Sequence, residues 1–357
     1  MELNSLRNSS FRMDTDSITK SLEETNLPLK ECMDDNSRYF LTYCGVYWSN
    51  KPFYLPIIWD IIVILFVFIF YFMEGPFYFT YYLVTAGFDV FELFQLGFII
   101  QGIAMIFIII HAHQRINQTV KKADLFVFPI ARRIAFLTYL IFITTFTPAI
   151  VWIFAESFPT YFVVFLLLGL LGSSAMISVN LFFLLVDAKV CMSLLSTLVS
   201  QDIVTLDEYK AVKQEIDDRI SKNQLNNTIV MTVAIGNVMI VLLMFIIDEH
   251  VASKLEIILE LIAGMSREIL YVLIGFWYVA LVNEKSLELR MKLSEKVLQT
   301  KSDDIEGKGH LVTVLAVTNA NPISFPLAGM VLTRKDIIFR FILWLIGLFI
   351  GIARQKF

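Results

Sequence analysis

The hydrophobic positions of this chain fall into seven long runs separated by polar segments. A helix needs about 20 mostly apolar residues to cross the hydrocarbon core of a bilayer, and the runs are close to that length or longer. The pattern therefore predicts an all-α, polytopic membrane protein with seven transmembrane helices. The predicted spans cover residues 54–72, 88–110, 134–154, 160–186, 228–247, 255–282 and 337–353.

An eighth stretch, residues 311–332, is moderately apolar but is interrupted by Asn321-Pro322 and Phe325-Pro326. Proline lacks a backbone N–H and breaks helices. We therefore expect a loop or a short half-helix that leads into the seventh span.

Composition agrees with this class: 57% of the 357 residues are hydrophobic, against about 45–50% in soluble domains. The first 50 residues are polar and contain no apolar core of signal-peptide length, so the first span is expected to act as its own insertion signal. Cys32, Cys44 and Cys191 lack metal-ligand spacing. Sequence motifs of zinc proteases, P-loop proteins and serine hydrolases are missing. We expect no enzyme activity, cofactor, metal or nucleic-acid partner.

The basic residues lie mainly on one side of the predicted spans. The N-terminal region and the segments after spans 2, 4 and 6 contain 24 Lys and Arg, whereas the other connections and the C-terminal end contain 3. Because Lys and Arg accumulate on the cytoplasmic side, we predict a cytoplasmic N-terminus and an extracellular C-terminus. This orientation is the reverse of that in G-protein-coupled receptors.

The predicted topology divides the chain of a multi-pass plasma-membrane protein into six parts. The three membrane parts are residues 54–186 with spans 1 to 4, residues 228–282 with spans 5 and 6, and residues 336–357 with span 7 and a short extracellular end. The three cytoplasmic parts are an N-terminal region (residues 1–53), a helical loop (residues 187–227) and an extension with a loop (residues 283–335).

Two cytoplasmic segments have helical periodicity. Thr205 and Glu208 match a capping box at a helix start, and apolar residues then recur every three or four positions. Span 6 also continues without a breaker into an amphipathic segment that begins at Glu284. These helices either lie solvated on the membrane or form a collar where subunits meet. The recurring apolar residues are Leu206, Tyr209, Val212, Ile216 and Ile220.

The last 37 residues read NPISFPLAGMVLTRKDIIFRFILWLIGLFIGIARQKF. Gly329, Leu332 and Arg334 precede the last helix, and the chain ends on Phe357. Together with the predicted topology, this stretch resembles a divergent member of the insect gustatory and odorant receptor superfamily. The resemblance implies a gustatory receptor-like, ligand-gated channel of four subunits. It also implies that the last helix lines a central pore, that the ligand pocket opens outward, and that cytoplasmic helices join the subunits.

Ionisable residues inside the spans are candidates for function. A charge at the bilayer centre costs at least about 2.5 kcal/mol and usually faces protein or water. Asp89 and Glu92 lie near the outer end of span 2, whereas Glu260 and Arg267 lie seven residues apart on one face of span 6. Arg267, near mid-membrane, is expected to pair with a carboxylate. Such residues either hold the bundle together as buried ion pairs or form a polar wall of the ligand pocket.

Trp152 and Tyr161 lie at the outer ends of spans 3 and 4. Aromatic residues at such positions form an interfacial belt or line an apolar pocket. The candidate ligand-binding residues are therefore Asp89, Glu92, Trp152, Tyr161, Glu260 and Arg267.

Span 7 has two distinct faces. Gly347 and Gly351 form a GxxxG pair, which favours close helix packing, and a bulkier apolar stripe lies elsewhere on the helix. Apolar rings can close a pore by dewetting. We expect the glycines to pack against the rest of the subunit and the stripe to line the pore. The stripe consists of Phe341, Leu345, Leu348 and Ile352.

The sequence and the resemblance together predict a ligand-gated cation channel in the membrane lipid, with a small-molecule ligand and a homo- or hetero-tetrameric assembly. Two alternatives stay open. One is a seven-helix receptor of inverted topology that signals without a pore. The other is a membrane transporter, although the two similar halves with broken helices found in inverted-repeat transporters are not evident in the sequence.

Overall fold

A computed structural model describes residues 24–46, 90–155, 160–201, 203–247, 255–300 and 305–327, together with single positions at 58, 61, 62, 65, 331, 343 and 347. The described chain is mostly helical, which confirms the predicted helical class. A two-stranded antiparallel sheet, which was not predicted, is the exception among the described residues. The elements are β1 (Glu24–Pro28), α1 (Leu29–Cys32), α2 (Asp35–Tyr43), α3 (Val90–Ile116), β2 (Thr119–Lys121), α4 (Lys122–Ala155), α5 (Thr160–Ser200), α6 (Leu206–Ile247), α7 (Leu255–Gln299) and α8 (Ile305–Ala320).

Helices α3 to α7 contain the described parts of predicted spans 2 to 6. Among the described residues, three stretches can cross a membrane by length and composition, namely Lys122–Thr144, Ser174–Ser200 and Glu268–Gln299. Spans 1 and 7 lie outside the described residues, apart from single positions that are helical. The chain is thus a helical protein with membrane-length apolar helices, while seven spans and the orientation stay predictions.

The segment between predicted spans 2 and 3 is not the loop that we expected. After a turn and strand β2, helix α4 begins at Lys122 and continues through Pro129. Two of the basic residues in this segment are paired with carboxylates of other helices, Arg115 with Asp187 and Lys121 with Glu215. These ion pairs fix the connection against the bundle.

The start of α6 has the predicted capping box. The Glu208 N–H donates to Thr205 Oγ1 at 3.2 Å, and the Thr205 N–H donates to Glu208 Oε2 at 2.9 Å. The apolar face that follows is buried within the chain itself, and Tyr209 and Val212 are fully buried. This face therefore neither lies on the membrane nor is exposed for another subunit. A collar between subunits would have to use a different face.

Helix α5 is the central helix, since every side chain from residue 174 to 188 is buried. It packs mainly against α4 and α7. Gly275 of α7 lets the backbone approach closely: a Cβ at this position would lie 2.9 Å from Met231 Cε of α6 and 3.2 Å from Leu184 Cδ2 of α5. The three helices therefore meet at a glycine.

The moderately apolar stretch before predicted span 7 divides into helix α8 and an extended segment. Helix α8 ends directly before Asn321-Pro322. The side chain of Asn283 on α7 donates to the Phe325 carbonyl at 3.1 Å and accepts from the Phe325 N–H at 2.7 Å. The Tyr209 hydroxyl donates to the Asn321 carbonyl at 2.7 Å. The segment that follows α8 is thus fixed to α6 and α7.

Candidate functional site

The side chains of the predicted site residues lie outside the described part of the structure. The backbone places five candidate ligand-binding residues on helices α3, α4, α5 and α7: Glu92, Trp152, Tyr161, Glu260 and Arg267. Asp89 and the four pore residues Phe341, Leu345, Leu348 and Ile352 lie outside the described residues. The roles of all ten, and the pairing of Arg267, stay predictions.

The described helices instead bring together a buried group of charges that we did not predict, which we call the ion cluster. Arg219 of α6 lies at its centre, with its guanidinium 2.6 Å from Glu215 Oε1 and 2.7 Å from Asp124 Oδ1 of α4. Arg115 at the end of α3 forms an ion pair of 2.8 Å with Asp187 of α5. The ion cluster consists of Arg115, Lys121, Asp124, Asp187, Glu215 and Arg219.

The ion cluster balances its own charge, because three cations face three carboxylates. Asp187 is 1% exposed and Arg219 is 7% exposed. Burial alone would lower the pKa of Arg219, but the neighbouring carboxylates, first among them Asp124 and Asp187, raise this pKa above its usual value. Arg219 therefore stays charged. Each ion of such a group depends on its partners, since an uncompensated buried charge is strongly destabilising.

A series of hydrogen bonds from uncharged side chains continues from the ion cluster into the bundle, and we call these side chains the polar ladder. Asn223 Nδ2 donates to Asp187 Oδ2 at 2.5 Å. Further along α6, Asn226 Nδ2 donates to Asn180 Oδ1 at 2.7 Å, and Asn180 Nδ2 donates to Tyr271 Oη at 2.5 Å. The polar ladder (Asn223, Asn226, Asn180 and Tyr271) thus joins α5, α6 and α7.

Tyr271 borders two cavities of about 10 Å³ each. This volume holds about one water molecule. Ser174 and Ser178 line the first cavity, and the buried Glu268 lines the second. The interior around the polar ladder is therefore polar but closely packed.

Helical periodicity explains why these side chains meet. Asn180 and Asp187 are seven residues apart and share one face of α5, which is otherwise strongly apolar. Polar residues also recur at intervals of three or four along α6. Both patterns were visible in the sequence, but we interpreted α6 from its apolar positions and missed the polar face. That face consists of Glu215, Arg219, Asn223 and Asn226.

The ion cluster and four of the candidate ligand-binding residues lie at opposite ends of the described helices; the four are Glu92, Trp152, Tyr161 and Glu260. The cluster lies where α3 ends and α4 begins. Trp152 is 28 residues beyond Asp124 along α4, which corresponds to about 42 Å at 1.5 Å per residue. The hydrocarbon core of a bilayer is about 30 Å thick. Helix α4 can therefore place the two sites on opposite sides of a membrane.

Gly347 of predicted span 7 is open in the single chain. A Cβ at this position would meet no described atom within 4 Å, and Leu343, one turn earlier, is 67% exposed. The expectation that Gly347 packs against the rest of its own subunit is therefore wrong for the described part of the chain. Among the described residues, none covers this face.

No protein-family model matches the chain, and no curated protein is significantly similar to it.

Proposed function

We propose that this chain is a gustatory receptor-like chemoreceptor that works as a ligand-gated cation channel assembled from four chains in the plasma membrane. The observation that carries the proposal is the ion cluster, in which six paired charges lie among membrane-length helices and four of the six are buried. Ionisable groups in such surroundings are costly and usually functional. Because β2 and helices α3 to α6 all contribute, a movement of one of these helices would rearrange the cluster.

The close packing around Tyr271, in the part of the chain that the structure describes, supports a pore between chains. The cavities beside Tyr271 have room for about one water molecule each, which is too little for a hydrated ion to pass. The open face at Leu343 and Gly347 belongs to the helix that the resemblance assigns to a central pore. Both observations fit an ion path that forms when several copies assemble.

The ligand pocket is proposed at the end of the bundle remote from the ion cluster. Glu92, Trp152, Tyr161 and Glu260 lie near helix ends on that side. A ligand there would open the channel by binding the open state more tightly, because only a difference in affinity between two states shifts their equilibrium.

Current across a planar bilayer that contains the purified protein tests the channel proposal. Ligand-dependent unitary currents are expected. Ligand binding without current would favour the pore-less receptor, and substrate uptake into vesicles without unitary events would favour the transporter. An antibody epitope added after Phe357 should be reachable on intact cells and one before Met1 should not; the opposite staining would overturn the orientation.

A pair of matched substitutions identifies the pore face of the last helix. Leu348 belongs to the predicted pore stripe, and Leu343 lies on the opposite, open face. Leu348→Ser should wet the gate and cause current without ligand, whereas Leu343→Ser should not. Leakage from Leu343→Ser alone would move the pore to the Leu343 and Gly347 face. If neither variant leaks at normal surface levels, this helix does not form the gate.

A further inference from the structure

An N-terminal segment, which we call the strap (residues 24–46), is docked along α4. The strap contacts α4 through a charged pair, an aromatic pair and a pair of hydroxyl groups. The three α4 residues in these contacts are three or four positions apart and so share one face of the helix. The contacts are Asp34 with Arg132 at 2.5 Å, the Phe40 and Phe136 rings with centroids 6.3 Å apart, and the Tyr43 and Tyr139 hydroxyls 3.1 Å apart.

The strap contacts the ion cluster by two separate routes. Strand β1 pairs with β2, and Lys121 at the end of β2 forms the ion pair with Glu215. The second route is aromatic: the Phe40 ring lies 5.9 Å from Phe182, Phe182 lies 5.2 Å from Phe183, and the Arg115 guanidinium lies 5.6 Å from the Phe183 ring. Through Lys121, the strap is connected to the Glu215–Arg219 pair. Through Phe182 and Phe183, it is connected to the Arg115–Asp187 pair.

The strap is held by burial, and its own helices are short. Leu29, Phe40 and Leu41 are at most 5% exposed and belong to the same core as the bundle. Its longest helix, α2, has 9 residues, too few to be stable in isolation. Helix α2 ends at Tyr43, and Gly45, two residues later, has a φ of 75°, a left-handed conformation that glycine adopts without strain. Short docked segments of this kind open locally more easily than the core.

We propose that the strap is a conformational control element of the inner end of the bundle. While it is docked, Phe40 and β1 keep Arg115 and Lys121 against their carboxylates, and the ends of α3 to α6 stay together. When it is released, the ion cluster loosens. Docking and cluster closure are therefore one coupled equilibrium rather than two independent features.

Two native cysteines report the two parts of this equilibrium. Cys44 lies at the end of the strap, and Cys191 lies one turn beyond Asp187 on α5, among the charges of the ion cluster. Both are fully buried. In a Cys32→Ser background, the rate of labelling by a water-soluble maleimide measures strap release at Cys44 and cluster opening at Cys191. The purified full-length chain in detergent is used.

Phe40→Ala should raise both labelling rates by about tenfold or more, because local opening controls the reaction of buried groups. Tyr39→Ala is the matched control, since Tyr39 is the preceding residue of α2 and is 73% exposed; it should leave both rates unchanged. Faster labelling of Cys44 with Cys191 still protected would overturn the coupling. If Phe40→Ala does not fold, Asp34→Lys takes its place, because it puts a second positive charge beside Arg132. The same labelling rates are measured, and Arg133→Gln is its control.

Unchanged labelling of both cysteines in Phe40→Ala and Asp34→Lys would also overturn the proposal, because the strap would then not depend on these contacts. A second arm rests on the proposed channel function: release of the strap should raise the current without ligand. Exposure of both cysteines with no current would count against the channel and leave the coupling intact.

Discussion

The ion cluster and the polar ladder are neighbours on the same faces of α5 and α6, yet they hold the helices together by different chemistry. The cluster uses full charges, whereas the ladder uses amides and a phenol. On α5 the change takes place between Asp187 and Asn180, about 10 Å apart along the helix. Burying a charge is costly unless it is paired, and along α5 a neutral amide at Asn180 follows the paired carboxylate at Asp187. A broken charged contact should therefore destabilise more than a broken neutral one.

The largest effect is expected from Arg219→Met, which keeps an unbranched apolar stem but removes the central charge. Glu215 would retain only Lys121, and Asp124 would lose its ion pair. Removing one partner of a buried ionic group costs about 3–5 kcal/mol. Thermal unfolding of the purified protein should occur at a much lower temperature, and the amount at the cell surface should fall.

The double variant Arg219→Met with Asp124→Leu sharpens this test. If uncompensated charge causes the damage, removing a carboxylate as well should restore part of the lost stability. A double variant that is less stable than Arg219→Met would show that packing at this site matters more than charge.

A smaller loss is expected from Asn180→Leu, which breaks the polar ladder at its middle. Tyr271 would lose its donor and Asn226 its acceptor, at a cost of about 1–3 kcal/mol. Ser178→Ala is the matched control, because Ser178 is equally buried but its hydroxyl bonds within α5, to the Ser174 carbonyl. If Asn180→Leu destabilises as much as Arg219→Met, the distinction between the two regions fails.

Tyr271→Phe should cost about 0.5–1.5 kcal/mol, because it removes one hydrogen-bonding hydroxyl and keeps the ring. Combined with Asn180→Leu, its effect should be less than additive, since the two residues share one hydrogen bond. Unfolding temperatures of the two single variants and the double variant measure this coupling. Strict additivity would mean that the bond does not contribute.

The smallest effect is expected from Lys213→Ala on the outer face of α6. The Lys213 ammonium lies 2.6 Å from the carboxylate of Asp217, which is exposed. Ion pairs of this kind contribute at most about 0.5 kcal/mol to the free energy of unfolding. The unfolding temperature should hardly change. A loss close to that of Arg219→Met would show that burial does not explain the difference between ionic contacts in this chain.

The sequence predicted the features that depend on neighbouring residues. The capping box at Thr205 and the unbroken continuation of predicted span 6 to Gln299 depend only on neighbouring residues, and both are present in α6 and α7. The ion cluster joins residues far apart in the chain, such as Arg115 and Asp187, which are separated by 72 positions. Periodicity identifies the face of a helix but not the helix that it meets. The strap escaped prediction because its apolar residues are too few to form a recognisable run.

The two hydrogen bonds between Asn283 and Phe325 impose an order on biosynthesis. Asn283 is made 42 residues before its partner, so α7 leaves the ribosome with a buried amide that has neither its acceptor nor its donor from Phe325. The bonds close when the segment after α8 has been made and folds back onto α7. The part of α7 around Asn283 thus completes its packing late, and a chain interrupted before residue 325 lacks both of these bonds, which distinguishes it from the finished protein.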